Sequence, residues 1–278
     1  MNRALWYKSW LEARVLLICC AGLMFGFHWM FVWVTSQVQV KAVGQFLKAL
    51  PDFFQNLPGI PIEDVASIPG RLAMAYVDPI VLIITAVWGI ARGSDVVSGE
   101  LNRGTMEMLV AQPVRRFSIL WSHATITIAG AALIALMAYL GTCTGLALVT
   151  LEEEVSSRFY VPAAINVFAL MVFLAGVSTL ASSVDRYRWR TIGFMGGFYV
   201  FGLLLEILGR MVTKLAWIRY FTFLAAFEPQ DLVRRLVYDM PDAFARSIEL
   251  NGILLGLGIT CYIAATVIFC HRDLPAPL

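Results

Sequence analysis

One stretch of the chain concentrates side chains able to do chemistry: GSDVVSGELNRGTMEMLVAQPVRR, from Gly93 to Arg116. Glu100 and Arg103 bound a charged turn, and Gly104 beside them can act as a hinge. Thr105 is placed to cap a short helix from Met106 to Ala111, with Glu107 in its first turn, where the helix dipole favours a carboxylate. Pro113 ends that helix, and Arg115 and Arg116 are placed to anchor the next apolar run at the headgroups. Gly99, Gly104 and Thr105 have the outer spacing of a phosphate-binding loop, but no lysine precedes the hydroxyl residue and no strand leads in. A structured, charged segment of this kind suits a docking surface; the plain alternative is an ordinary amphipathic loop.

Other ionisable groups are scattered. Glu206 lies inside an apolar run, where a carboxylate is a functional candidate by default. Arg210 follows at i+4 in the favourable acid-then-base order, so a structural pair is the stronger reading over a substrate or proton site. Asp78 before Pro79 reads as a helix cap with proline in the first turn. His28 could ligate a metal with Met24 or Met30, but nothing else converges on it, and a hydrogen-bonded lone histidine is the simpler account. Cys19, Cys20, Cys143, Cys261 and Cys270 are odd in number, sit in apolar runs and form no CxxC, which argues against a disulfide framework or a zinc site. Glu152, Glu153 and Glu154 form an acidic cluster without a nearby histidine, a weak basis for an integral membrane lipid-modifying enzyme.

The elements that must position these residues follow from composition. Of 278 residues, 59% are hydrophobic and 14% charged, against about 25% charged in soluble domains. A net charge of +2 is too balanced to suggest a nucleic-acid partner. An all-α polytopic membrane protein, a single domain over 1–278, is the expected class. Runs of about 20 apolar residues cross ~30 Å of hydrocarbon, and six emerge: Val15–Thr35, Pro79–Val97, Phe117–Thr150, Pro162–Val184, Thr191–Leu208 and Gly252–Cys270. None shows the alternation of a barrel strand. The first has an apolar core too long for a cleavable signal.

Residues 1–14 place Leu5, Trp6, Trp10 and Leu11 near one helical face, which predicts a short amphipathic interfacial helix. With six spans, both termini share a side with 92–116 and 185–190, and the compact basic run RYRWR at 186–190 places that side in the cytoplasm of a plasma (inner) membrane. The far side carries 37–78, interrupted by Pro51, Pro58, Pro61 and Pro69, with 38–50 amphipathic in pattern. It also carries 209–249, whose aromatic residues and two prolines predict short re-entrant or interfacial helices between spans five and six. Four Gly-x3-Gly spacings, at Gly22/Gly26, Gly141/Gly145, Gly193/Gly197 and Gly252/Gly256, allow close helix approach.

The 93–116 segment resembles the signature of the ATP-binding-cassette type 2 permease family. Gly99, Glu100, Arg103, Gly104, Thr105, Glu107, Leu109, Pro113, Val114 and Arg116 stand at matching spacing. The similarity extends to the six-span layout, the N-terminal helix and the closing run from Phe269 to Leu274, and so covers essentially the whole chain. One departure is His123, which stands where many relatives place lysine and puts an interfacial positive charge there in question.

The resemblance implies a permease that pairs with a second copy or a homologue, while separate ABC ATPase subunits bind the cytosolic faces. It makes 93–116 the coupling-helix loop, helped by the N-terminal helix, and Glu100, Arg103, Gly104, Thr105 and Glu107 the candidates for the ATPase contact or its hinge. The chain itself is then no enzyme and binds no cofactor; ATP and magnesium belong on the partner. An exporter of an amphipathic, lipid-like or small toxic compound is expected. An ATP-independent secondary transporter is the alternative, although the paired broken helices it would want are not visible.

Overall fold

A computed structural model describes residues 3–37, 60–151 and 153–272; the expected amphipathic stretch 38–50, Glu152 and the end of the closing run lie outside the described residues. Among the described residues the chain contains no strand, and six helical runs are long and apolar enough to cross a membrane. They are Arg3–Gln37, Ile68–Asn102, Arg116–Leu148, Ser157–Val184, Arg188–Met211 and Ala243–His271, here the first to sixth spans.

The first span departs from expectation. Residues 3–14 are helical but run unbroken into the membrane segment, giving one helix of 35 residues. No glycine or proline falls between Arg3 and Ala21 to turn the chain. At 1.5 Å per residue such a helix is about 52 Å long, well beyond ~30 Å of hydrocarbon. The N-terminal segment is therefore a projection of the span and not a separate helix.

The second span is a composite. Ser67 caps its first helix, accepting from the Gly70 amide at 3.2 Å. Asp78 then caps the main helix Pro79–Ser94, accepting from the Ile80 amide at 2.9 Å. It continues through a π-helical turn, Asp95–Gly99, to a final turn at Asn102.

The fourth span is the centre of the bundle: 78% of its apolar window is buried, against 28% for the first, fifth and sixth. A helix apolar all round can take that position. Glycines set how closely its neighbours approach. A Cβ on Gly89 or Gly93 of the second span would clash with Leu174 or Ser178, and Gly176 meets the Gly258 backbone of the sixth. The third span packs along the first, where Gly141 faces the Phe25 carbonyl and Gly145 faces Val32. Of the four spacings noted in sequence, this alone closes a contact among the described residues. Gly22, Gly26, Gly193, Gly197, Gly252 and Gly256 face open space.

The bundle has two distinct ends. At the far face, short helices at Thr213–Phe221, Phe223–Ala226 and Pro229–Val237 fill the interval between the fifth and sixth spans. Helix Ile62–Ala66 is tied to them, because Asp64 accepts from Arg234 Nε at 2.5 Å and from the Tyr238 hydroxyl at 2.6 Å. The other end, the terminal face, gathers Lys8, Glu100, Arg116, Ser183 and Arg272 through direct contacts.

Candidate functional site

The terminal face is organised around the π turn at Asp95–Gly99. A π turn carries one residue more than the helix needs and is often found at functional sites. Its backbone groups are taken up from the fourth span, where Ser182 Oγ accepts from the amides of Ser98 at 2.8 Å and Val97 at 3.3 Å. The Ser98 hydroxyl also meets Thr191 of the fifth span at 3.2 Å. Gly99 leaves room for the Asp95 carboxylate, which would crowd any Cβ there.

Two acids converge from this turn. Asp95 accepts from Arg103 Nη1 at 2.7 Å and pairs with Arg188 Nη1 at 3.0 Å. Glu100 is buried, at 3% exposure. Its Oε1 accepts from Lys8 Nζ at 2.5 Å and Arg103 Nη2 at 2.7 Å, and its Oε2 from the Thr105 hydroxyl at 2.6 Å. Lys8 also pairs with Glu12 at 2.8 Å. Beneath them Arg92 donates to Ser9 Oγ at 2.9 Å. Burial opposes the Arg103 charge, but the hydrogen bond and charge of Asp95, then those of Glu100, outweigh it and raise its pKa above the ordinary value.

Glu12, Asp95 and Glu100 offer oxygens within 4.8 Å of one another, a spacing that could hold a cation. Lys8, Arg103 and Arg188 already supply positive charge there, so the cluster works as a salt-bridge knot. It joins the start of the first span, the exit of the second and the start of the fifth.

The sequence candidates separate into distinct roles. Glu100 is an internal anchor, too buried to present its carboxylate to a partner. Arg103 is partly exposed and braces both acids. Gly104 adopts φ +70° with nothing within 4 Å of a Cβ there, so the backbone conformation alone demands glycine. Thr105 occupies the cap position of helix Met106–Val110 but makes no side-chain cap hydrogen bond. Its hydroxyl instead donates to the Glu100 carboxylate, a charge-assisted hydrogen bond. Glu107 is exposed beside Met108, which is 64% exposed. Met106 and Leu109, on the opposite side, are buried in a cluster with Leu5, Val97, Leu120 and Phe269.

Arg116 also has a partner within the chain. It donates to the Arg272 carbonyl at 2.6 Å, binding the last carbonyls of the sixth span. Arg272 in turn donates to the Ser183 carbonyl at 2.8 Å. His123 is buried under the loop and lines a small cavity with Lys8, Glu12 and Glu100. Lys8, Asp95, Ser182 and Arg188 were not singled out from sequence. Only the compact 186–190 basic run pointed toward Arg188, and it was read as an orientation signal.

At the far face, the expected Glu206–Arg210 pair is present at 2.7 Å but belongs to a larger network. Arg219 reaches Glu206 at 3.0 Å and Glu228 at 2.6 Å, and Arg246 approaches Glu228 at 3.6 Å. Burial opposes the Arg219 charge, and Glu206 with Glu228 more than restores it, raising its pKa. His28 Nδ1 lies 2.9 Å from the Met24 carbonyl, and its ring packs against Tyr76.

Six helices long and apolar enough to span a membrane, with a charged loop hydrogen-bonded to one end, define a polytopic helical membrane protein. Its kind follows from comparison with known families. The model of the ABC-2 family transporter protein matches residues 14–274, so the chain belongs to the ABC-2 transporter family and is a membrane-spanning permease subunit of an ABC transporter. Membership implies an ABC ATPase partner. Among curated proteins, none matches the chain.

Proposed function

We propose that this permease couples ATP hydrolysis on a separate ATPase subunit to export of an amphipathic or lipid-like substrate. The terminal face is then cytosolic, ATP and magnesium sit on the partner, and the permease works as a dimer with a second copy or a homologue. The surface offered to the ATPase runs over Arg103, Gly104, Glu107 and Met108, with Glu100 and Thr105 fixing it from beneath.

The observation carrying this reading is the double anchoring of the loop. Met106 and Leu109 are buried below it, and Glu100 is held by Lys8, Arg103 and Thr105. A push on the exposed face therefore moves the first, second and fifth spans together, because Lys8 and Arg188 link them to the same acids. A loosely tethered loop would absorb such a push by bending.

Co-purification with the ATPase subunit, followed by ATPase assay of the complex in nanodiscs, tests it. Glu107→Lys with Met108→Glu is expected to abolish both association and permease-stimulated hydrolysis. A doubly substituted chain that still assembles and stimulates hydrolysis would remove this surface from the mechanism.

A further inference from the structure

A cavity of about 430 Å³ opens in the far-face half of the bundle, between the fourth, fifth and sixth spans. Its floor is aromatic. Phe223 lies 5.1 Å from Phe173 and 5.2 Å from Phe198, ring centre to ring centre, and Phe173 and Phe198 are 6.5 Å apart. Along the sixth span the lining changes character, from Arg246 and Glu249 at the end to Leu250, Ile253 and Leu257 below. From residue 246 to 257 the helix rises about 16 Å, close to half of the ~30 Å hydrocarbon thickness. Ile253 and Leu257 are about half exposed, at 45% and 48%, so the cavity opens sideways.

The charges at the mouth are complementary to a head with one charge of each sign. Arg246 Nη1 pairs with Glu249 Oε2 at 2.9 Å, and Glu249 is itself well exposed. Arg246 Nη2 also lies 3.6 Å from Glu228 Oε2, so the guanidinium bridges the two acids. A phosphate on the partly exposed Arg246 side chain and an ammonium group on the exposed Glu249 would exchange the Arg246–Glu249 ion pair for two.

We infer that this groove seats one zwitterionic phospholipid of the far-face leaflet, its phosphate on Arg246, its ammonium on Glu249 and an acyl chain along Ile253, Leu257 and the phenylalanine floor. The site is independent of ATPase coupling, because it lies at the opposite end from the terminal-face loop and requires no second subunit. Either reading can therefore fail without the other.

The test is photolabelling of the full chain in nanodiscs with a phosphatidylethanolamine carrying a diazirine on one acyl chain, and with a diacylglycerol bearing the same chain. Adducts are mapped by peptide mass spectrometry. The seat predicts adducts concentrated on 220–226 and 246–257, at least fivefold stronger for the phospholipid than for the diacylglycerol. Ile253→Trp, a change at a half-exposed position, should reduce them at least fivefold by filling the groove. Arg246→Gln should bring the two probes to parity, with thermal melting confirming that both variants fold. Equal labelling of groove and first-span residues such as Ile18 and Leu23, or labelling indifferent to Ile253→Trp, overturns the assignment. So does an unchanged probe preference in Arg246→Gln.

Discussion

Lys8 and Glu100, 92 positions apart in sequence, meet at 2.5 Å, so the projecting start of the first span is bonded to the exit of the second. The carboxylate is buried while the ammonium stays partly exposed, at 5% and 38% side-chain exposure. Their contact makes the first span a structural support of the 93–116 loop. Replacing Glu100 with Ala leaves Lys8 and Arg103 without an acid they share. The expected loss is about 1–3 kcal/mol, below that of a fully buried pair because both cations reach solvent. Thermal unfolding in a double-mutant cycle with Lys8→Met checks it; a coupling indistinguishable from zero would show that the two groups act separately.

Gly104 supplies a second prediction. Its φ of +70° is unfavourable for a residue with a Cβ, so Gly104→Ala should cost about 1 kcal/mol. The substitution should also misdirect helix Met106–Val110 and lower stimulated ATPase activity. Gly104→Asn, which tolerates the left-handed region better, should recover most of the activity. Equal activity of the Ala and Asn variants would count against a conformational role.

The two sides of helix Met106–Val110 should respond differently. Met106→Ala removes a fully buried side chain from a packed cluster, at an expected cost of about 2–4 kcal/mol. Met108→Ala, at an exposed position, should change stability by less than about 0.5 kcal/mol while weakening ATPase binding. Melting curves and pull-down from the same preparations separate the effects. Matching stability losses would mean that Met108 is covered within the protein.

Ser182→Val removes the oxygen that receives the Val97 and Ser98 amides. Leaving buried donors unpaired should cost about 1–3 kcal/mol, and hydrogen exchange at those two amides should rise. Unaltered exchange there would show that the π turn does not depend on the fourth span.

Glu206→Gln tests whether the far-face network is structural. Removing one acid leaves Arg210 and Arg219 with less compensation, so the melting temperature should fall while transport per folded molecule is retained. Transport abolished in a fully folded variant would return Glu206 to the list of substrate or proton groups.

The spans and the turn-and-helix form of the loop were legible in sequence for a local reason. Hydrocarbon thickness and a 1.5 Å rise impose a length on every apolar run, and glycine, threonine and proline punctuate the loop whatever it packs against. The loop's partners were less visible. Arg103 could be suspected of pairing with nearby Glu100, but Lys8 and Arg188 reach the same knot only after three spans assemble.

By itself the sequence determined six membrane crossings and an all-helical fold, because each rests on neighbouring residues. The tertiary structure decided which face of each span turns inward. The first and fourth spans look alike in sequence as long apolar runs, yet 28% of the apolar window of one and 78% of that of the other is buried. Lipid tails are as apolar as a protein core, so hydropathy cannot distinguish a face that meets lipid from one that meets another helix. Close packing at Gly89, Gly93, Gly141, Gly145, Gly176 and Gly258 settles the rotation of the spans, and that rotation brings Asp95 and Glu100 to their distant bases.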